Sequence, residues 1–165
     1  MEEGLAEFDH LYRSTDKVLE KLGEVRLTGP TKLVKIDIED FFIKGDPAVL
    51  CKHAFTHVQN GELRGAYEEL LHYILTTQYV SSALWSGVIY KCMLGSGIGL
   101  RHSAALANIV FARMVETRVV LKPVIQRKFD IRFYGRYHDD ILIILAAREV
   151  QSLNGIVGLH KLMSK

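Results

Sequence analysis

The chain has 165 residues, 48% of them hydrophobic and 24% charged, with a formal net charge of +2, enough for one domain with a substantial core. A pI of about 8.5 permits a nucleic-acid partner without demanding one, since pI above about 9 is the usual footprint of such domains. No stretch nears the roughly 18 uninterrupted apolar residues of a membrane span. The acidic start MEEGLAEFDH is unlike a signal peptide, and Cys51 and Cys92 make no disulfide framework, so no membrane and a reducing intracellular compartment (nucleus or cytoplasm) are expected.

In chain order, residues 1–22 read as one helix, with Leu5, Phe8, Leu11, Tyr12, Val18, Leu19 and Leu22 near one face and Gly23 placed to end it. Residues 25–27 read as a short strand before the turn Thr28-Gly29-Pro30, and 33–38 as a strand burying Leu33, Val34, Ile36 and Ile38. Asp46-Pro47 is a helix start, Asp as cap and Pro at the first helical position, with the helix running to about Gln59. A second helix follows over 62–79. Residues 88–94 resemble a strand, Gly95-Ser96-Gly97-Ile98-Gly99 a loop, and 103–121 a long helix closed by Pro123. Then come two β-prone runs, FYGRY and ILIIL, joined at Asp139 and Asp140 in a hairpin. The tail, 148–162, reads as a helix weakened by Gly155 and Gly158. Strands interleaved with pairs of helices give an α+β or split βαβ layout, with helices on one sheet face.

Three acids stand out. Asp139 and Asp140 at a hairpin tip read either as a solvated turn or as a cation site, because adjacent carboxylates repel and oxygen ligands suit Mg²⁺. Asp37 ends an otherwise apolar strand, so it is either exposed there or in need of a partner. If the two strands lie side by side, the three carboxylates converge. They would then hold two Mg²⁺ ions about 3.5–4 Å apart, the arrangement that stabilises both attacking and leaving oxygens in phosphoryl transfer.

Three blocks sharpen this. KIDIEDFF at 35–42 places an aromatic residue five positions after Asp37; GLRHSAALAN occupies 99–108; Tyr137-His138-Asp139-Asp140 forms a Tyr-x-Asp-Asp signature. In this order and spacing the chain resembles the palm of a reverse transcriptase, an RNA-directed DNA polymerase of retroelements, over residues 31 to 146. The resemblance implies a polymerase palm fold, a ferredoxin/RRM-like antiparallel sheet with helices packed on one face. Residues 1–30 would be an N-terminal helix with a short fingers-like lead-in, and 31–165 the palm-like domain. It further implies that Asp37, Asp139 and Asp140 are catalytic, and that they bind two Mg²⁺ ions (Mn²⁺ as substitute) together with Ile38. Ile38, Glu39, Asp40 and Phe41 would lie near the incoming dNTP, and Phe42 would be the gate that rejects a ribose 2′-hydroxyl. Gly99, Ser103 and Asn108 would support the template base and nascent pair. The expected partners are an RNA or DNA template with its primer, and dNTP.

RNA-dependent RNA polymerases share the palm but expect a second Asp where Phe42 stands, Gly where His138 stands and Thr where Arg101 stands. Within the reverse-transcriptase pattern, Ile98 replaces a frequent Gln, and Gly97 and Ala104 replace prolines. About 25 residues follow the hairpin, so the sequence is read as a fragment lacking a thumb that further polymerase segments of a longer parent would supply, and binding primer–template poorly alone. The alternative is a catalytically inactive palm-like nucleic-acid-binding remnant or domesticated module. Other features carry less. His53 and His57, four apart near Cys51, lack a third zinc ligand. Gly95-x-Gly97-x-Gly99 lacks the Gly-Lys-Ser/Thr ending of a phosphate loop. Lys32, Lys35, Arg101 and Arg136 read as solvated or as phosphate contacts, and Tyr134 and Tyr137 as hairpin packing.

Overall fold

A computed structural model describes residues 2–42, 44–84 and 87–146. The tail expected as a helix, 148–162, and Trp85 lie outside them. The chain divides into two compact units, one of Met1–Glu7 with Asp40–Val110, the other of Phe8–Glu39 with the chain from Phe111 on. The fold is mixed α+β with antiparallel strands. Among the described residues no helix is long and apolar enough to cross a membrane.

The first unit is mainly helical. After the short α1 (Glu2–Leu5), α3 (Pro47–Ala54) starts as expected, with Asp46 accepting from the backbone N–H groups of Ala48 and Val49 at 2.9 and 3.3 Å. It ends five residues before Gln59, and α4 (Gly61–Thr76) begins under an Asn60 cap. Leu50, Cys51, Ala54, Phe55, Leu71 and Leu75 are buried. β2 (Tyr79–Ser81) and β3 (Ile89–Lys91) form a two-stranded ribbon, exposed along its length. β2 begins at Tyr79, which helical periodicity had placed at the end of the preceding helix. α5 (Ser103–Phe111) then leaves the first unit through a buried stripe of Ser103, Leu106, Ile109 and Val110.

The second unit is built on a sheet of order β1-β5-β4, from β1 (Thr31–Asp37), β4 (Ile131–Tyr137) and β5 (Asp140–Ala146). Alternation decides its faces. Tyr134, Ile141, Ile143 and Leu145 point to one side and form a core with Val120. Val34, Ile36, Ile38, Phe111, Leu121, Ile125, Phe129 and Ile131 pack against it. Lys35, Asp37, Asp140 and Leu142 take the other side, where Leu33 is 69% exposed.

Two expectations fail here for tertiary reasons. The predicted helix over 1–22 is broken. Tyr12 donates its backbone N–H to Arg136 O and Arg136 donates to His10 O, both at 2.9 Å, drawing His10–Tyr12 alongside β4. Helix resumes only at α2 (Thr15–Glu24), capped by Ser14, and it runs through Gly23; residues 25–27 form no strand. Two hydrogen bonds and a stacked Tyr12–Phe133 ring pair outweigh a weak local propensity. The second failure is the long helix over 103–121. It passes at Ala112–Glu116 into a π segment, and Pro123 opens a new helix, α6 (Pro123–Lys128), instead of closing the old one.

Candidate functional site

Register brings the acids together. In β1 against β5, Asp37 lies directly opposite Asp140, and Ile36 opposite Ile141. Directly opposed side chains share a face with Cβ atoms about 4.5–5.5 Å apart. Asp139 sits one residue earlier, in the two-residue turn His138-Asp139 that joins β4 to β5. Its carbonyl accepts the Ile38 N–H at 3.0 Å, so β1 is laced to the turn just beyond Asp37. Of the two turn residues only His138 has positive φ, 53°, as the first central residue of a II′ hairpin turn has. Histidine is one of the few non-glycine residues enriched in that region. Asp37 and the adjacent Asp139 and Asp140, about a hundred residues away in sequence, thus lie at the same end of one sheet.

Like charges opposed in this way repel, and Lys35 answers them. Its Nζ lies 2.9 Å from Asp140 Oδ1. The ammonium is held above its ordinary pKa, first by its hydrogen bond to Asp140, then by that charge, with Asp37 and Asp139 adding to it. Lys35, read from sequence as solvated or phosphate-facing, is therefore the cation now standing among the acids. Among the described residues no group of three or more His, Cys, Asp or Glu is drawn together as a metal site. The donor chemistry, carboxylates at a sheet end, suits a hard divalent cation. The present side-chain arrangement directs one Asp140 oxygen to Lys35.

Apart from Ile38 and Glu39, the remaining candidates belong to the first unit. Asp40 has φ of 56° and is paired with Lys44 at 3.2 Å. Phe41 and Phe42 are half-buried in an edge-to-face contact, centroids 5.2 Å apart. The carbonyl of Phe42 accepts the Ser96 N–H at 2.8 Å, tying the aromatic pair to the glycine loop. Ser103, expected near the template, is buried. Its hydroxyl donates to Gly97 O at 2.6 Å and so accepts from Ser96 Oγ at 2.7 Å. Gln78 Oε1 accepts the Gly97 N–H at 2.7 Å. The hydroxyl of Ser103 thus fastens the loop from behind. Gly99 (φ 93°) is exposed at the loop's end, and Asn108 is half-buried on α5. Glu39 is exposed two residues past the end of β1, in the second unit.

Sequence reading missed one cluster altogether. Arg136, expected at the surface, is 1% exposed, and Glu116 is 0% exposed. Arg136 Nε and Nη2 donate to Glu116 Oε1 and Oε2 at 2.8 and 3.0 Å, Tyr134 Oη donates to Oε1, and His10 Nε2 lies 2.9 Å from Oε2. Burial alone would raise the Glu116 carboxyl; the hydrogen bonds from His10 and Arg136, with the Arg136 charge, hold it at about 2. An ionised carboxylate only accepts, so His10 Nε2 carries the proton in that contact. Burial, then the Glu116 charge, pushes the Tyr134 phenol well above its usual range. Two signals pointed to this cluster. Arg136 alternates with Tyr134 on the core side of β4, and Glu116 falls on the buried helical stripe Ile109, Ala112, Glu116, Val120.

No protein-family model matches the chain, and no curated protein matches it at a significant level. Solved structures do. Telomerase from Candida albicans, in complex with a TWJ fragment of telomeric RNA, superposes with a TM-score of 0.68 at 14% identity, over 99% of this chain and 30% of that one. Apo telomerase from Candida tropicalis, truncated from its C-terminal domain, gives 0.66 at 13% identity over 92% and 32%. The chain therefore spans about a third of the length of these structures. At such identity the likeness is one of fold alone.

Proposed function

We propose that this chain is a reverse-transcriptase palm domain carrying out two-metal nucleotidyl transfer from a dNTP to a primer 3′-hydroxyl on an RNA or DNA template. The observation that carries the reading is the register of β1 on β5, which opposes Asp37 to Asp140 with Asp139 in the adjoining turn. The telomerase-like fold supports it, as do the three motif blocks in polymerase order; the retroelement affiliation rests on those blocks alone.

In this mechanism Asp37, Asp139 and Asp140, together with Ile38, would hold two Mg²⁺ ions, or Mn²⁺ in their place. When bound, such ions would activate the attacking hydroxyl and offset charge on the leaving pyrophosphate. The protein contributes position and charge. Lys35, now paired with Asp140, would have to release that carboxylate for it to hold a cation. Glu39, Asp40 and Phe41, following Asp37 in the chain, flank the triphosphate, and Phe42 stands against a ribose 2′-hydroxyl. Ser103 keeps the loop before Gly99 in one conformation, and Gly99 and Asn108 support the nascent pair.

Primer extension on an RNA template with dNTPs and Mg²⁺ or Mn²⁺, run beside Asp139→Asn, tests the reading. Extension by the parent and none by the variant supports it; extension by both, or by neither, counts against catalysis at this site. A second reading is a catalytically inactive palm-like nucleic-acid-binding module. The Lys35–Asp140 ion pair favours it, because a lysine already meets the charge of that carboxylate. Salt-sensitive binding of a primer–template duplex without extension would select it.

A further inference from the structure

A two-residue turn at the open end of a hairpin is held by the ladder on one side only, yet here its carbonyls are seized from two directions. The Asp139 carbonyl accepts from Ile38 N–H. The carbonyl of His138, one peptide earlier, accepts from Arg136 Nη1 at 2.7 Å. The same guanidinium is forked onto both oxygens of Glu116 and lies 5.0 Å from the Phe111 ring centre. Arg136 therefore spans from the helix side of the sheet to the peptide that precedes Asp139.

We propose that Glu116 and Arg136 form a positioning strut for the turn bearing Asp139, closed at its far end by His10. The proposal rests on the reading of Asp139 as a metal ligand. Three observations separate it from plain core packing. A buried ion pair is a poor means to stability, since apolar residues of like volume are often as good or better. Only arginine offers donors in a rigid fork able to grip a carboxylate with one edge and a third group with the other. Glu116 reaches its place through a π segment, marked by the Thr117 N–H bonded to Ala112 O at 2.9 Å. Without the extra residue the side chain would be turned about 100° around the helix. Glu116 accepts from Tyr134, His10 and twice from Arg136, which fills roughly all four carboxylate lone-pair sites. The strut is thereby fixed at its base and directed at its tip.

The test is amide hydrogen exchange on the metal-free chain, combined with direct Mn²⁺ binding followed by water-proton relaxation. Arg136→Lys keeps the charge but cannot grip Glu116 with a fork and reach the His138 carbonyl together. Its Ile38 amide should exchange at least about tenfold faster than the parent's while amides farther along β1 change little, and Mn²⁺ affinity should fall several-fold. The double variant Glu116→Met/Arg136→Met, which leaves no buried charge, should show the same two losses in a stable fold, and it serves if Arg136→Lys does not fold. Ile38 unchanged, Ile38 loosened only in step with the rest of β1, or Mn²⁺ affinity unmoved by a loosened turn would each overturn the strut. A parent that binds no Mn²⁺ overturns instead the metal reading, and the exchange result then decides the strut by itself.

Discussion

Replacing Glu116 by Gln keeps the shape of the side chain and removes its charge. The Arg136 side chain, 0% exposed, is then a buried cation without a counter-ion, and breaking a buried pair this way costs about 3–5 kcal/mol. A second route gives a similar magnitude. Against the upward push of burial, His10 and Arg136 hold the Glu116 carboxyl at about 2 instead of the ordinary 4.5. A carboxyl displaced so far contributes about 3 kcal/mol to folding at neutral pH. The folded-state pKa is the lower one, so this contribution is present above 4.5 and is lost as pH falls toward 2. Urea unfolding followed by circular dichroism, at neutral pH and at about pH 3, reads both features. Glu116→Gln should lose about 3 kcal/mol at neutral pH and clearly less in acid, while Glu116→Met/Arg136→Met should recover most of the loss. A neutral-pH loss below about 1 kcal/mol, the range of ordinary surface changes, would refute the reasoning, as would a gap that does not narrow in acid.

Lys35→Met releases Asp140 from its exposed partner; divalent-cation affinity should rise, by up to about fivefold given the small worth of such pairs. Manganese titration by electron paramagnetic resonance checks this, and weaker binding would show that Lys35 does not compete with the cation. Gly135→Ala sets a Cβ 2.6 Å from Tyr12 Cε2 and 2.8 Å from Phe133 Cζ, and should lower stability by about 1–3 kcal/mol in the same urea assay. In a chain that extends primers, Phe42→Ala should reduce the preference for dNTP over NTP by on the order of tenfold or more, measured as a ratio of kcat/KM values. Burial, with the Glu68 charge adding to it, pushes the Cys51 thiol up to about 11. In a Cys92→Ala background Cys51 should therefore react with iodoacetamide at about pH 8 on the order of a hundredfold more slowly in the folded chain than in urea.

The hairpin was legible because its signal is local. Aromatic and β-branched residues on one side and a run of Ile and Leu on the other flank a polar bend, a pattern that needs no knowledge of the rest of the chain. The Asp46 cap and strand β1 were legible for the same reason. What escaped depends on distant partners. His10–Tyr12 leave the helix because Arg136 offers them backbone hydrogen bonds. Arg136 is buried because a carboxylate awaits it, and Glu116 because a guanidinium does. Each charge read alone belongs at the surface; only the pair belongs inside. Within the candidate site, the sequence brought forward the aspartates but not Lys35 as their cation. That Ser103 spends its hydroxyl on the loop carbonyl follows from loop geometry no residue pattern encodes.

The order in which the chain is made gives one further meaning to the His10–Glu116 contact. These residues stand 106 apart in sequence, with the stretch Asp40–Val110 of the first unit inserted between them. During synthesis, β1 is the earliest strand of its sheet to emerge, while β4 and β5 come only after that whole insertion. Closing a loop of on the order of 100 residues costs about 4 kcal/mol, a cost reduced where the insertion folds first. Until then β1 is an unpaired strand presenting Val34, Ile36 and Ile38. Lys35, alternating with these apolar residues, is the kind of charge that discourages edge-to-edge association. The lysine that faces the aspartates in the finished sheet thus also guards the strand while it waits for them.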